Sequence, residues 1–335
     1  MTRAGRRRWL WRTLTVVFLA VIGVLLWHQF RQLDWPEISA ALRSYSAAQL
    51  APALLFALAG HLVYACFDLL GRAHTQHGLP VRVVLPRVLV CYAFNLNLSA
   101  MLGGMALRYR LYTRCGLRVD TITQVIALSI TANWLGYTLL LGMLFIAGLP
   151  TLPGDWPLAG SVQRLLGLGM LCVPLLAALA TLRWQGRRWH FRQHRFTLPG
   201  PRLCGAQLLL GSANWMLMAA VLYTLLPSDH NYPTVLAVLL TSSLAGLVSR
   251  VPAGLGVLEA TALVLLRGES DQVTLMAALI GFRVCYFLLP LAGAAVLYPW
   301  LELAHRHRQA GTHSNHSPHS SHSTHSQKRH QAPLS

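Results

Sequence analysis

The chain has 335 residues, of which 54% are hydrophobic and only 11% are Asp, Glu, Lys or Arg. A typical soluble domain carries about 25% of those charges, so the balance excludes an ordinary water-soluble fold, and it is the opposite of the balance that keeps a chain disordered. The net charge of +18 is carried almost wholly by arginine, Lys328 being the single lysine. The basic residues are spread over loops between apolar runs, which argues against nucleic acid as a partner and suits lipid phosphates.

Apolar segments fall at roughly 10–30, 48–70, 83–106, 121–148, 161–182, 203–226, 234–266 and 272–300, near the ~20 residues a helix needs to cross a bilayer. They predict an all-α polytopic membrane protein of about six to eight transmembrane helices, one or two of them broken or re-entrant. The first segment follows Arg3, Arg6, Arg7, Arg8 and Arg12 and runs on without a small-x-small cleavage site, so it reads as an uncleaved helix with its N-terminus in the cytoplasm. Arginines in loops 71–87 and 183–202 place those loops inside, while loops 149–160 and 227–233, with an Asp and no Arg, fall outside. Alternation then requires 83–106 to return to the side it came from, because Arg108, Arg110, Arg114 and Arg118 follow it. Its second half, with Asn95, Asn97, Ser99, Gly103 and Gly104, suits a re-entrant hairpin shielded by protein. Segment 234–266 is too long for one span and breaks at Arg250-Val251-Pro252-Ala253-Gly254-Leu255-Gly256.

Two spans, a broken hairpin and one span are thus followed by the same order again. Three crossings in the first set make this an inverted 4+4 pseudo-repeat, an arrangement whose paired broken segments mark the substrate site in membrane transporters. Thr131-Ala132-Asn133-Trp134 and Ser212-Ala213-Asn214-Trp215 look alike, but they occupy non-equivalent places in that repeat and read as a chance match. Residues 1–303 form the membrane domain. Residues 304–335, with eight of the fifteen histidines, read as a disordered His/Ser-rich cytoplasmic tail with no metal-ligand spacing. None of Cys66, Cys91, Cys115, Cys172, Cys204 and Cys285 forms a CxxC pair, so neither a zinc site nor a disulfide framework is expected.

The ionisable residues within the apolar segments are the informative ones. On the insertion scale each central charge costs about 2.5–3.5 kcal/mol. Four unpaired charges would therefore cost about 10–14 kcal/mol, as much as a domain's whole stability. Asp68, Arg108, Arg110, Arg250, Glu259 and Arg283 are therefore expected to be paired, at a wet cavity or near an interface. Arginines suit a phosphate headgroup through bidentate bonds, with the carboxylates holding them or facing a cationic group; a set of pairs that only locks the bundle is the other reading. Asn133 and Asn214 read as inter-helix hydrogen bonds, and His61 as a satisfied bundle residue rather than a ligand. No nucleophile, NTPase, dinucleotide or zinc-protease motif stands in a usable context, so no enzyme activity, cofactor or metal is expected.

Asn95-Leu96-Asn97-Leu98-Ser99, Gly103-Gly104, Arg108-Tyr109-Arg110-Leu111-Tyr112, Asn133-Trp134-Leu135-Gly136-Tyr137, the Arg250–Glu259 stretch and Arg283 with Tyr286 together resemble the transmembrane region of lysylphosphatidylglycerol synthases, a flippase-like membrane domain. Within that family the likeness is to stand-alone bacterial inner-membrane proteins of the YbhN type, over about residues 10–303. The bifunctional relatives add a soluble domain that transfers an amino acid to phosphatidylglycerol, and their membrane domain moves the product to the outer leaflet. The resemblance implies lipid translocation without the synthase. It carries over Asp68, Arg108, Arg110, Arg250, Glu259 and Arg283 as headgroup or coupling residues, with Gly103, Gly104, Pro252, Gly254 and Gly256 as hinges. Ala253 replaces the commoner glycine, and Ser99-Ala100 stands where other members have proline.

The leading expectation is a translocator of an anionic or aminoacylated phospholipid in the bacterial cytoplasmic membrane, both termini cytoplasmic, with Asp68 or Glu259 carrying any coupling proton. The alternative is a non-transporting scaffold or regulator with a lipid-modifying enzyme as partner. An intramembrane enzyme ranks third.

Overall fold

The computed structural model describes residues 45–98, 104–152, 159–184, 188–191, 194–197, 199–227, 230–249, 256–266 and 272–314, with a few single positions between 36 and 156. The first apolar segment, at 10–30, and the tail beyond 314 lie outside them. The helices are α1 (Ala47–Thr75), α2 (Val81–Asn97), α3 (Leu107–Arg114), α4 (Val119–Ile146), α5 (Ser161–Trp184), α6 (Pro201–Leu225), α7 (Tyr232–Ser249), α8 (Val257–Leu265), α9 (Gln272–Arg283) and α10 (Leu289–Ser314). A π turn, Val284–Leu288, joins α9 to α10 without a break. The chain is an all-α polytopic membrane protein. Among the described residues, five stretches are long and apolar enough to cross a bilayer, namely α1, α4, α5, α6 and Gln272–Leu303, with Tyr232–Val248 a shorter apolar helix.

The expected segments other than 10–30 are found, the two expected interruptions included, with one addition. Segment 83–106 ends its first helix at Asn97, and helical structure resumes at Gly104. Segment 234–266 is two helices, α7 and α8, packed on each other. The basic loop 183–202 contains a two-stranded antiparallel ribbon, Arg188–Phe191 against His194–Thr197, with Trp189 opposite Phe196; alternating large and polar residues allow such a ribbon outside the apolar spans.

Local chemistry sets the helix ends. The Gln49 side chain accepts from the Ser46 amide at 3.1 Å, as in a capping box, at the start of α1. Pro201 sits in the first turn of α6, where its missing N–H costs nothing.

The chain divides into two compact units between Tyr298 and Pro299, and the spans up to that point form the first. Its helices pack in a similar order in the two halves. α1 lies along α6; α1 packs on α2 as α6 packs on α7; α2 meets α3 as α7 meets α8; and α3 meets α4 as α8 meets α9. The tightest approach is where α4 crosses α6. A Cβ on Gly136 would fall 2.1 Å from the Gly211 carbonyl carbon, and one on Gly211 would fall 2.0 Å from the Ala132 oxygen. Small residues are what let two spans come backbone to backbone in a bilayer. Leu222, Leu239, Leu240, Leu279 and Phe282 fill the core beside this crossing. α5 turns most of its leucines outward, Leu165 and Leu182 among them, as a lipid-facing helix does.

Candidate functional site

Among the described residues, four of the charges in or beside the apolar segments form two pairs. Asp68, in the last third of α1, is fully buried. Its Oδ1 accepts from Arg108 Nη2 at 2.9 Å, and its Oδ2 accepts from the Tyr112 hydroxyl at 2.6 Å. Arg108 and Tyr112 are four residues apart on α3, so one helix face presents both donors to one carboxylate. The same Nη2 lies 3.2 Å from Ser129 Oγ on α4 and 3.4 Å from the Tyr64 hydroxyl, and the guanidinium sits 5.5 Å from the Tyr64 ring centre. Arg108 Nε is buried and has no hydrogen-bond partner.

The second pair joins the two elements that follow the other break. Glu259, in the first turn of α8, takes both oxygens to Arg283 at the end of α9, at 2.5 Å to Nε and 2.9 Å to Nη2. This is the bidentate fork that makes arginine suited to carboxylates and phosphates. Both side chains keep some exposure, 13% for Arg283 and 16% for Glu259, against 4% and 0% in the first pair.

Each pair opens on a cavity. The first, about 270 Å³, is walled by Arg108, Ser129, Tyr64, Tyr92, Gly104 and the amides of Asn95, Asn133 and Asn214. The second, about 220 Å³, is walled by Arg283, Ser242, Ser243 and Gly246 on a background of Leu239, Leu258 and Phe282. Leu96, Trp215 and Met218 belong to both walls, so one layer of side chains separates the chambers. Trp215 is held there by Nε1 donating to the Asn133 carbonyl at 3.3 Å and by edge contact with Tyr137. Each arginine also neighbours a widened turn, Gly104–Ala106 before Arg108 and Val284–Leu288 after Arg283. Such π turns collect at functional sites because they free carbonyls from the i→i+4 ladder. The amide of Asn97 uses that freedom, donating to the Phe287 carbonyl at 3.1 Å as well as to Ala93.

The predicted set is thus divided. Asp68 with Arg108 and Glu259 with Arg283 come together as pairs. Arg110 reaches the Tyr298 hydroxyl instead and lines neither cavity. Arg250, Gly103, Pro252 and Gly254 lie outside the described residues. Of the expected hinges, Gly104 lines the first cavity against Asn95, with room for no Cβ. Gly256 starts α8 at φ +77°, a conformation glycine adopts without strain. As expected of an inter-helix bond, Asn214 on α6 meets the Tyr92 hydroxyl of α2; Asn214 and Asn133 also face the first cavity, and Asn97 adds a second such bond. One reading changes. The twin stretches around Asn133 and Asn214 meet at the α4–α6 crossing, and their likeness was the available signal for the cavity wall. Tyr92, whose hydroxyl lies 3.0 Å from that of Tyr286, carried no such signal. Among the described residues no three His, Cys, Asp or Glu side chains cluster as a metal site would require.

A bundle of apolar spans, two interrupted segments and two arginine-bearing polar chambers define an all-α polytopic membrane protein. The family model described as "Lysylphosphatidylglycerol synthase TM region" matches residues 14–294, and the chain belongs to that family. It is similar to "Inner membrane protein YbhN" of Escherichia coli (strain K12), 40% identical over 297 residues, which is 87% of this chain and 92% of that one. It is also similar to "Uncharacterized protein slr0712" of Synechocystis sp., 26% identical over 319 residues, 89% of this chain and 96% of the other.

Proposed function

We propose that the protein moves a phospholipid between the leaflets of a bacterial cytoplasmic membrane, its headgroup passing from one chamber to the other while the acyl tails stay in lipid. The observation that carries this reading is the pair of arginine-walled cavities sharing only Leu96, Trp215 and Met218. A phosphate matches both chambers chemically. In the first, Arg108 keeps an unused Nε–H and the amides of Asn95, Asn133 and Asn214 supply neutral partners. In the second, an anion can replace Glu259 on the fork of Arg283 without stranding a buried charge, because that pair is partly open. The family and the name of the Escherichia coli relative favour an inner-membrane location, with both termini cytoplasmic by loop charge. The reading is of a carrier, with no bond-making step.

The test is leaflet exchange of fluorescent phosphatidylglycerol in liposomes holding the purified protein, against Arg283→Gln and Trp215→Ala checked for folding. Loss of a charged hydrogen-bond donor predicts a fall of about tenfold or more for Arg283→Gln. Opening the shared wall in Trp215→Ala changes the rate in either direction. Wild type that exchanges no headgroup, whether anionic, zwitterionic or aminoacylated, sinks translocation and favours the scaffold reading, to be followed by capture of a lipid-modifying enzyme.

A further inference from the structure

We infer that His61, not a carboxylate, is the proton-binding group of the protein, and that proton binding at its Nε2 is tied to headgroup movement; this rests on the translocation reading above. A coupling group must be able to gain and lose a proton without breaking the structure around it. Both carboxylates are engaged before any headgroup arrives: Asp68 with Arg108 and Tyr112, and Glu259 with Nε and Nη2 of Arg283, from which only an incoming anion releases it.

His61 meets the condition. The residue is 5% exposed in the middle of α1. Its Nδ1 lies 2.9 Å from the Ala57 carbonyl oxygen. A carbonyl only accepts, so Nδ1 carries the hydrogen and Nε2 bears the free lone pair. That Nε2 is buried and has no partner, and a buried polar atom left bare in a bilayer calls for a reason. The imidazole lies between Tyr92 and Tyr286, 4.9 Å from each ring centre, a setting in which two π faces stabilise an imidazolium. A proton on Nε2 therefore breaks no existing hydrogen bond and places its charge beside two tyrosine rings.

Ionisable groups on the elements packed here are few: α2 adds Arg82, Arg87 and Cys91, and α1 itself Cys66. Tyr64 on the same helix stacks on Tyr92 at 3.5 Å. Tyr92 and Tyr286 bond to each other. From α4, Tyr137 is spent on the Leu240 carbonyl. The helices α4 and α6 each carry one charged residue, Asp120 and Arg202, both in their first turns. Cys285 adjoins Tyr286, and the Asp68–Arg108 pair lies two turns further along α1. Tyr92 and Tyr64 line the first cavity, so Nε2 stands one aromatic layer behind its wall. When the Tyr92 ring tilts, a proton passes from cavity water to Nε2 while the other hydrogen stays on Nδ1, donated to the Ala57 carbonyl. The added positive charge draws an anionic headgroup inward, so exchange rises as pH falls.

The experiment measures exchange of fluorescent phosphatidylglycerol from pH 5 to 9 in wild type and His61→Gln, with 15N-histidine NMR of the wild type in nanodiscs over the same range. The expected result is a one-proton rise on the acid side in wild type, up to about tenfold per pH unit, and a flat profile in His61→Gln. The NMR arm does not depend on transport or on the variant's folding: a histidine in the Nδ1–H form that gains a second proton within the range supports the site. Exchange with an unchanged pH profile in folded His61→Gln overturns the proton site and leaves translocation standing. An Nε2 that stays bare from pH 5 to 9 also overturns it. Absence of wild-type exchange at every pH overturns the translocation reading and the coupling role with it.

Discussion

The two charge pairs each take one partner from the element after a break yet are built differently. After the first break α3 carries the arginine, and the carboxylate comes from α1; after the second, α8 carries the carboxylate, and the arginine comes from α9. The first pair is sealed and held by Tyr112, Ser129 and Tyr64, whereas the second is a fork left partly open. The sealed pair fixes where α3 sits; the open pair leaves Arg283 partly accessible, which is what the proposed exchange of its carboxylate for another anion requires.

Mutations can break that contrast. The largest effect is expected for Asp68→Asn or Arg108→Gln, because removing one partner strands a buried charge at a cost of about 3–5 kcal/mol; thermal unfolding in detergent should register it as lost fold or a large drop in Tm. Gly211→Ala comes next. Its methyl group has no space at the Ala132 carbonyl, and overpacking of this kind costs about 1–3 kcal/mol. The same melt should show it, with Gly136→Ala behaving alike. Glu259→Gln should cost less than Asp68→Asn, since Arg283 keeps a neutral partner and reaches solvent. Equal losses at Asp68 and Glu259 would erase the distinction between the pairs.

The smallest effect concerns pH, at a residue outside the spans. In the turn after α1, burial and then the charge of Arg72 push the His77 imidazole below its usual range. The folded state therefore binds its proton less readily than the unfolded state. The full contribution is present above the unfolded value near 6.5 and declines as pH falls below it. His77→Gln should flatten a shallow loss of Tm between pH 7 and 5.5.

Much of this was legible in the sequence. The spans showed because a bilayer demands about 20 apolar residues per helix, and loop arginines located the two breaks. Asp68, Arg108, Glu259 and Arg283 stood out because charge in an apolar run is expensive. Which carboxylate meets which arginine was not legible, since Asp68 and Arg108 are 40 residues apart and meet only through the packing of α3 on α1 and α4. Tyr92 was hidden for a related reason: an aromatic residue in an apolar helix looks the same whether it packs in lipid, in the core or in a cavity wall. The likeness of the stretches around Asn133 and Asn214 was visible but read as chance, because sequence spacing cannot reveal that two similar stretches face each other at a helix crossing.

The π turn between α9 and α10 has a consequence for chain length. A π turn holds one residue more than the regular helix needs, so the faces before and after it stay in register despite the surplus. Loss of one residue within 284–288 is therefore absorbed by reversion to an ordinary α turn. The same deletion within Gln272–Arg283 would swing every residue on one side of it by about 100° and carry Arg283 off Glu259. In lineages that differ in length across the last span, the insertion or deletion is expected to fall within these five residues.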